Sequence, residues 1–120
     1  MFDHVGLQVK DINASARFYS AVLAPLGYVM DSSGSGFGPV NAPALWLYAS
    51  ASATGAGSHV ALRTKNRDAV DRFYLEGIKA GGRDNGKPGL RADYGPTYYA
   101  AFLLDPDGNN IEAVYLSEGI

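Results

Sequence analysis

The stretch His4-Val5-Gly6-Leu7, followed by Arg17-Phe18-Tyr19, returns 55 residues later as His59-Val60-Ala61-Leu62 followed by Arg72-Phe73-Tyr74. Aligned without a gap, residues 4–19 and 59–74 share His, Val, Leu, Lys10/Lys65, Ala14/Ala69, Arg, Phe and Tyr, half of the sixteen positions. A period this long, present twice, does not suit a solenoid and points to one domain assembled from two copies of a supersecondary unit. The chain's two histidines occupy the same place in each copy, so they form a symmetric pair.

Each copy reads as a strand followed by a helix. In residues 2–10, Val5, Leu7 and Val9 fall on one side and Phe2, His4, Gly6 and Gln8 on the other, the period of a half-buried strand. Asp11 and Asn13 are short polar residues able to cap a helix; Ala16, Tyr19, Ala21, Val22 and Leu23 continue it, and Pro25 and Gly27 end it. Apolar pieces at 28–30, 37 and 45–48, parted by Ser33-Gly34-Ser35-Gly36, Pro39 and Pro43, read as a small meander. The second copy repeats the order: a strand at 58–64, a helix at about 67–80 with Val70, Phe73, Tyr74, Leu75 and Ile78 as its apolar stripe, then Gly81-Gly82. A weak strand near 87–91 and strong ones at 98–104 and 111–116 follow, the last two joined by Asp105-Pro106-Asp107-Gly108-Asn109, whose residues suit a tight turn.

The expectation is an α+β fold in a single domain, 1–120. Two βαβββ modules, about 1–50 and 58–120, are joined by an Ala/Ser/Gly/Thr-rich linker at about 51–57. One helix covers one face of a sheet, so neither module buries its sheet alone. The two are expected to share a curved, mostly antiparallel sheet with helices on the convex side and a concave cup for a ligand.

The bulk properties narrow the function classes. A chain of 120 residues has room for one core. With a net charge of -2, no run of like charges and no basic patch interleaved with aromatics, the footprint of a nucleic-acid binder is missing. There is no cysteine, hence no disulfide and no thiolate zinc site. No apolar run approaches the roughly 20 residues of a membrane span, and the N-terminus lacks a signal-peptide pattern. A cytoplasmic protein acting on a small molecule is expected.

His4 and His59 each open a repeat on the side opposite the core residues, so both are expected to face the cup. Glu112 is a carboxylate within the apolar strand Ile111-Glu112-Ala113-Val114-Tyr115-Leu116, where an unpaired charge is costly. A metal would relieve that cost, as would pairing with Arg63 or Arg91. Two imidazoles and a carboxylate with open positions suit a divalent first-row ion such as Fe, Mn, Ni, Co or Zn. Gln8 and Arg63 share the ligands' strand phase, while Trp46, Arg91, Tyr94, Tyr98 and Tyr99 are further candidates for contacting substrate; of the adjacent pair Tyr98 and Tyr99, one must face the core. The run Gly34-Ser35-Gly36-Phe37-Gly38 lies between strand-like pieces and precedes a proline, so it reads as a loop and not a phosphate cradle.

These features resemble the vicinal oxygen chelate superfamily, which includes glyoxalase I, bleomycin-resistance proteins, fosfomycin-resistance thiol transferases and extradiol dioxygenases. The resemblance covers nearly the whole chain. It rests on His4-Val5-Gly6-Leu7, the repeated Arg-Phe-Tyr helix, His59-Val60-Ala61 and, most specifically, Asp105-Pro106-Asp107-Gly108-Asn109-Asn110-Ile111-Glu112. It implies paired βαβββ modules, a divalent ion on His4, His59 and Glu112, and Lewis-acid chemistry on a small oxygen-bearing substrate, of lyase, isomerase, thiol-transferase or dioxygenase type. It also implies a homodimer, in which His4 of one chain could meet His59 and Glu112 of the other. The departures are specific. Glyoxalase I carries a fourth ligand on the last strand of its first module, where this chain has Ala44-Leu45-Trp46-Leu47-Tyr48; extradiol dioxygenases typically use a further histidine, and this chain has no third. The alternative reading is a protein that sequesters its ligand without turnover, with Trp46, Tyr94, Tyr98 and Tyr99 as stacking surface.

Overall fold

The computed structural model describes residues 1–53 and 57–117, so the middle of the expected linker lies outside the described residues. Alternation of apolar and polar residues produces β1 (Val5–Val9), with Leu7 and Val9 buried and Gly6 and Gln8 exposed. Asp11 then caps α1 (Ile12–Leu23), its side chain accepting from the backbone N–H groups of Asn13 and Ala14. The helix tightens into a 3-10 turn at Ala24–Leu26 and stops at Gly27, whose φ of 87° lies in the left-handed region that glycine tolerates. Three short strands complete the module: β2 (Val29–Met30), β3 (Gly36–Gly38) and β4 (Leu45–Ala49).

The second module repeats this order with β5 (His59–Arg63), α2 (Arg67–Lys79), β6 (Arg83–Leu90), β7 (Tyr98–Leu104) and β8 (Asn110–Leu116). Asn66 caps α2 through the N–H of Ala69, while Asp68 in the first turn and Lys79 in the last suit the helix dipole. Strand β6 begins earlier than the weak strand expected near 87–91. Its register against β7 shifts twice, between Asp84 and Gly86 and between Gly86 and Gly89. Each shift breaks the two-residue alternation that marks a strand in sequence.

Both βαβββ modules are thus present. Their eight strands hydrogen-bond as two mixed sheets of four, ordered β1-β4-β3-β2 and β5-β8-β7-β6. The first strand of each module runs parallel to the last, and the other pairs are antiparallel. Each helix covers its own sheet, and the two helices also pack on each other. One hydrophobic cluster therefore runs through both modules, with Phe18, Tyr19 and Val22 of α1 beside Val70 and Phe73 of α2 and Leu103 of β7. The modules join helix side to helix side, and each sheet turns its other face outward.

The helix crossing needs a small residue. A Cβ on Gly77 of α2 would sit 2.2 Å from Leu103 Cδ1 and 2.8 Å from Val22 Cγ1. Gly77→Ala is expected to destabilise the protein by about 1–3 kcal/mol through overpacking, more than the gain in helix propensity returns. Urea denaturation measures it, and a variant more stable than the parent would show that the crossing is looser than this.

A polar latch fixes how the modules sit. The turn between β7 and β8 rests on α1 and on the link that leads into it: Tyr19 donates to Asp105 Oδ2 at 2.6 Å, the N–H of Lys10 donates to Asp107 Oδ1 at 3.0 Å, and Ser15 donates to Asp107 Oδ2 at 3.4 Å. Asp105 is 1% exposed and also accepts from the N–H groups of Asp107 and Asn109 and from the Asn109 side chain. Burial first, and then the neighbouring Asp105 carboxylate, push the Tyr19 phenol well above its ordinary pKa, so it is a hydrogen donor throughout the working range.

Candidate metal centre

The outward face of the second sheet is built by strand phase. Tyr98, Ala100 and Phe102 of β7 lie opposite Leu116, Val114 and Glu112 of β8, and Ala61 and Arg63 of β5 lie opposite Glu112 and Val114. Glu112 therefore sits on a central strand between the small Ala61 and the ring of Phe102. It is 2% exposed. Its Oε1 lies 3.1 Å from His59 Nε2, and its Oε2 accepts a hydrogen bond from the Tyr98 hydroxyl. Among the described residues no Lys or Arg pairs with Glu112, so neither Arg63 nor Arg91 neutralises it.

The groove over this carboxylate, about 450 Å³, is lined by His59, Tyr94, Tyr98, Phe102, Asn110 and Glu112. His59 stacks on Phe102 with ring centroids 6.3 Å apart, and the Arg91 guanidinium lies over the same ring at 5.3 Å. Arg91 is held there by the carbonyls of Gly89 at 2.9 Å and Lys87 at 2.6 Å. The exposed Tyr94 packs edge-on against Tyr98, at 5.2 Å between centroids. Burial, followed by the hydrogen bond to Glu112, pushes the Tyr98 phenol up to about 12.

Of the candidates from sequence, the fold brings together His59, Glu112, Tyr98 and Tyr94, with Arg91 beside them. Tyr99 turns to the helix side, where it donates to Asp71 at 2.6 Å beneath the Arg67 guanidinium, away from this groove. Arg63 is exposed on the outward face of β5. Gln8 and Trp46 belong to the first sheet, on the rungs Gln8–Tyr48 and Gly6–Trp46.

His4 lies just before β1 with its Nδ1 on Asp3 at 2.7 Å. Both histidines border a cleft of about 610 Å³ between the modules. Among the described residues, however, no three potential ligands come together within one chain. Phe102 and Asn110 were not singled out from sequence, although alternation from Tyr98 places Phe102 on the same face.

The two modules differ at one rung. In the second, Glu112 pairs with Ala61 on one side and Phe102 on the other. In the first, the residue paired with Gly6, the counterpart of Ala61, is Trp46, with Gly36 on its far side. Trp46 therefore holds the position that Glu112 holds in the other module. Its indole lies against the sheet over Gly36, where a Cβ would come within 2.6 Å of the ring, and Tyr48 covers Gly6 in the same way at 2.7 Å.

Residues 1–113 match the model of the Glyoxalase/Bleomycin resistance protein/Dioxygenase superfamily. The chain belongs to this superfamily. A glyoxalase/bleomycin resistance protein from Albidiferax ferrireducens T118 is 30% identical and superposes with a TM-score of 0.80, over 98% of this chain and 99% of that one. A glyoxalase/bleomycin resistance protein/dioxygenase family enzyme from Burkholderia phytofirmans PsJN shares the fold at 20% identity and a TM-score of 0.73, over 96% and 98% of the two chains. Protein ATC0852 from Agrobacterium tumefaciens, solved by solution NMR, is 25% identical with a TM-score of 0.67, over 98% of each chain. A comparison with curated proteins returned no match. Within this superfamily fold, no helix among the described residues is long and apolar enough to cross a membrane.

Proposed function

We propose that this chain is a divalent-metal-dependent enzyme whose ion is held by His59 and Glu112 and completed by His4 of a second copy of the chain. One observation carries the reading: a carboxylate at the floor of an open groove, 2% exposed, has an imidazole and a phenol as its partners and no Lys or Arg. An isolated buried carboxylate is costly, and a divalent cation at this place would offset that cost. The donor set fits: first-row ions bind imidazole nitrogen and carboxylate oxygen at about 2.0–2.2 Å, so two such donors at a right angle stand about 3 Å apart. Nε2 and Oε1 are 3.1 Å apart.

Superfamily membership supports a small oxygen-bearing substrate. The ion supplies Lewis-acid polarisation of adjacent oxygens when bound. Phe102 backs the His59 imidazole and holds Arg91 at the groove, where its charge suits an anionic group on the substrate. Tyr94 and Tyr98 form the rim. Lyase, isomerase, thiol-transferase and dioxygenase reactions are all compatible with this set.

Tyr19–Asp105 and Lys10–Asp107 hold the first module on the second, and among the described residues no third ligand of the same chain joins His59 and Glu112. Meanwhile Met1, Phe2, Val40 and Tyr48 of the first module are exposed, a surface suited to covering by a partner. That face of a partner would bring His4, Gln8 and Trp46 opposite Glu112.

Protein purified without chelator is expected to carry close to one divalent ion per chain by elemental analysis, and the His59→Ala variant to lose it. Equal ion content in the two removes this site from consideration. A second reading, ligand sequestration without turnover, is favoured by Trp46 standing where a second carboxylate would stand. It would be supported if ligand uptake survived chelation unchanged and no product formed.

A further inference from the structure

Tyr98 is the one partner of Glu112 that no ligand set requires. It lies at the far end of β7, opposite Leu116, four residues along β8 from Glu112. Its phenol nevertheless reaches back along the sheet to Oε2, while Oε1 faces His59. The two oxygens are thereby given separate tasks. The edge-on packing of Tyr94 at 5.2 Å braces the Tyr98 ring in this position, and the burial of Glu112 leaves Oε2 little access to water as an alternative donor.

We propose that Tyr98 is a positioning residue: by donating to Oε2 it confines Glu112 to ligation through Oε1 alone. The inference rests on the metal-site reading above. A carboxylate can present one oxygen or both to a cation. Holding one back leaves a further coordination position, which a substrate offering two adjacent oxygens would use. A hydrogen-bonded carboxylate is also fixed in direction, and loss of such an outer partner typically weakens metal affinity about 10–100-fold.

The test uses the full chain stripped of metal and titrated with cobalt(II), with Tyr98→Phe beside the parent. The variant is expected to bind about 10–100-fold more weakly. Infrared difference spectra, ion-loaded minus ion-free, of protein labelled with ¹³C-glutamate supply the second readout. The parent is expected to show the wide carboxylate splitting of single-oxygen ligation, and the variant the narrower splitting of a carboxylate using both oxygens. A structural role alone would leave that splitting unchanged. A parent that binds cobalt with narrow splitting overturns the inference even if Tyr98→Phe fails to fold, and so does a variant that matches the parent in affinity and splitting. A parent that takes up no cobalt overturns the site reading itself, which distinguishes the two failures.

Discussion

Asp105→Ala is expected to lower the stability of this chain by about 3–5 kcal/mol, because four donors lose one buried, charged acceptor at once. The carboxylate is 1% exposed and accepts from the Tyr19 hydroxyl, two backbone N–H groups and the Asn109 amide. Alanine would leave these donors without their acceptor in a place water does not reach, and hydrogen bonds to a charged group contribute roughly 1.5–3 kcal/mol each, not additively. Against a total of about 5–15 kcal/mol for a domain of this kind, the loss is a large share of the whole. Tyr19→Phe, which removes one donor and keeps the ring, is expected to cost about 1–2 kcal/mol by the same reasoning. Urea denaturation followed by circular dichroism measures both. If Asp105→Ala shifted the midpoint no more than Tyr19→Phe does, the turn would not be the clamp between the modules.

The second large effect is one of restoration. His4→Ala and His59→Ala chains, each purified alone, are expected to carry almost no tightly held divalent ion. A heterodimer of the two, isolated by different tags, is expected to regain about half the wild-type ion content, because a two-fold assembly with exchanged ligands then contains one intact and one doubly broken site. If all three ligands came from one chain, both sites in that heterodimer would be broken and nothing would return. The measurement is ion content by elemental analysis on the tagged heterodimer. It separates the ligand set from the question of which chain supplies His4.

Much of this architecture was legible because duplication left its mark on residues that physics constrains. His4-Val5-Gly6-Leu7 and His59-Val60-Ala61-Leu62 marked the modules, and Glu112 stood out as a charge inside an apolar strand; the pairing of β5 with β8 is what brings it to His59. The pairing of the eight strands as two sheets of four was not legible, because a local period says which face a residue takes and not which strand lies beside it. Strand β6 was hidden by its two register shifts. Asp105 and Asp107 read as turn formers, and so they are; their second task, gripping α1 from more than 80 residues away in sequence, leaves no local signature. Tyr98 and Tyr99 stood adjacent with equal claims until the strand turned one toward Glu112 and the other toward Asp71. The reach of Tyr98 to Glu112 depends on side-chain length across four rungs, which neither composition nor spacing encodes.

Trp46 has a use that follows from its place on the rung matching Glu112. It is the only tryptophan in the chain. Every indole photon this protein emits therefore originates on the outward face of the first sheet, from a ring lying over Gly36. The module that lacks the carboxylate carries, in its stead, the chain's single indole fluorophore. Whatever settles on that face, a second copy of the chain or a small molecule, changes the surroundings of this one lamp.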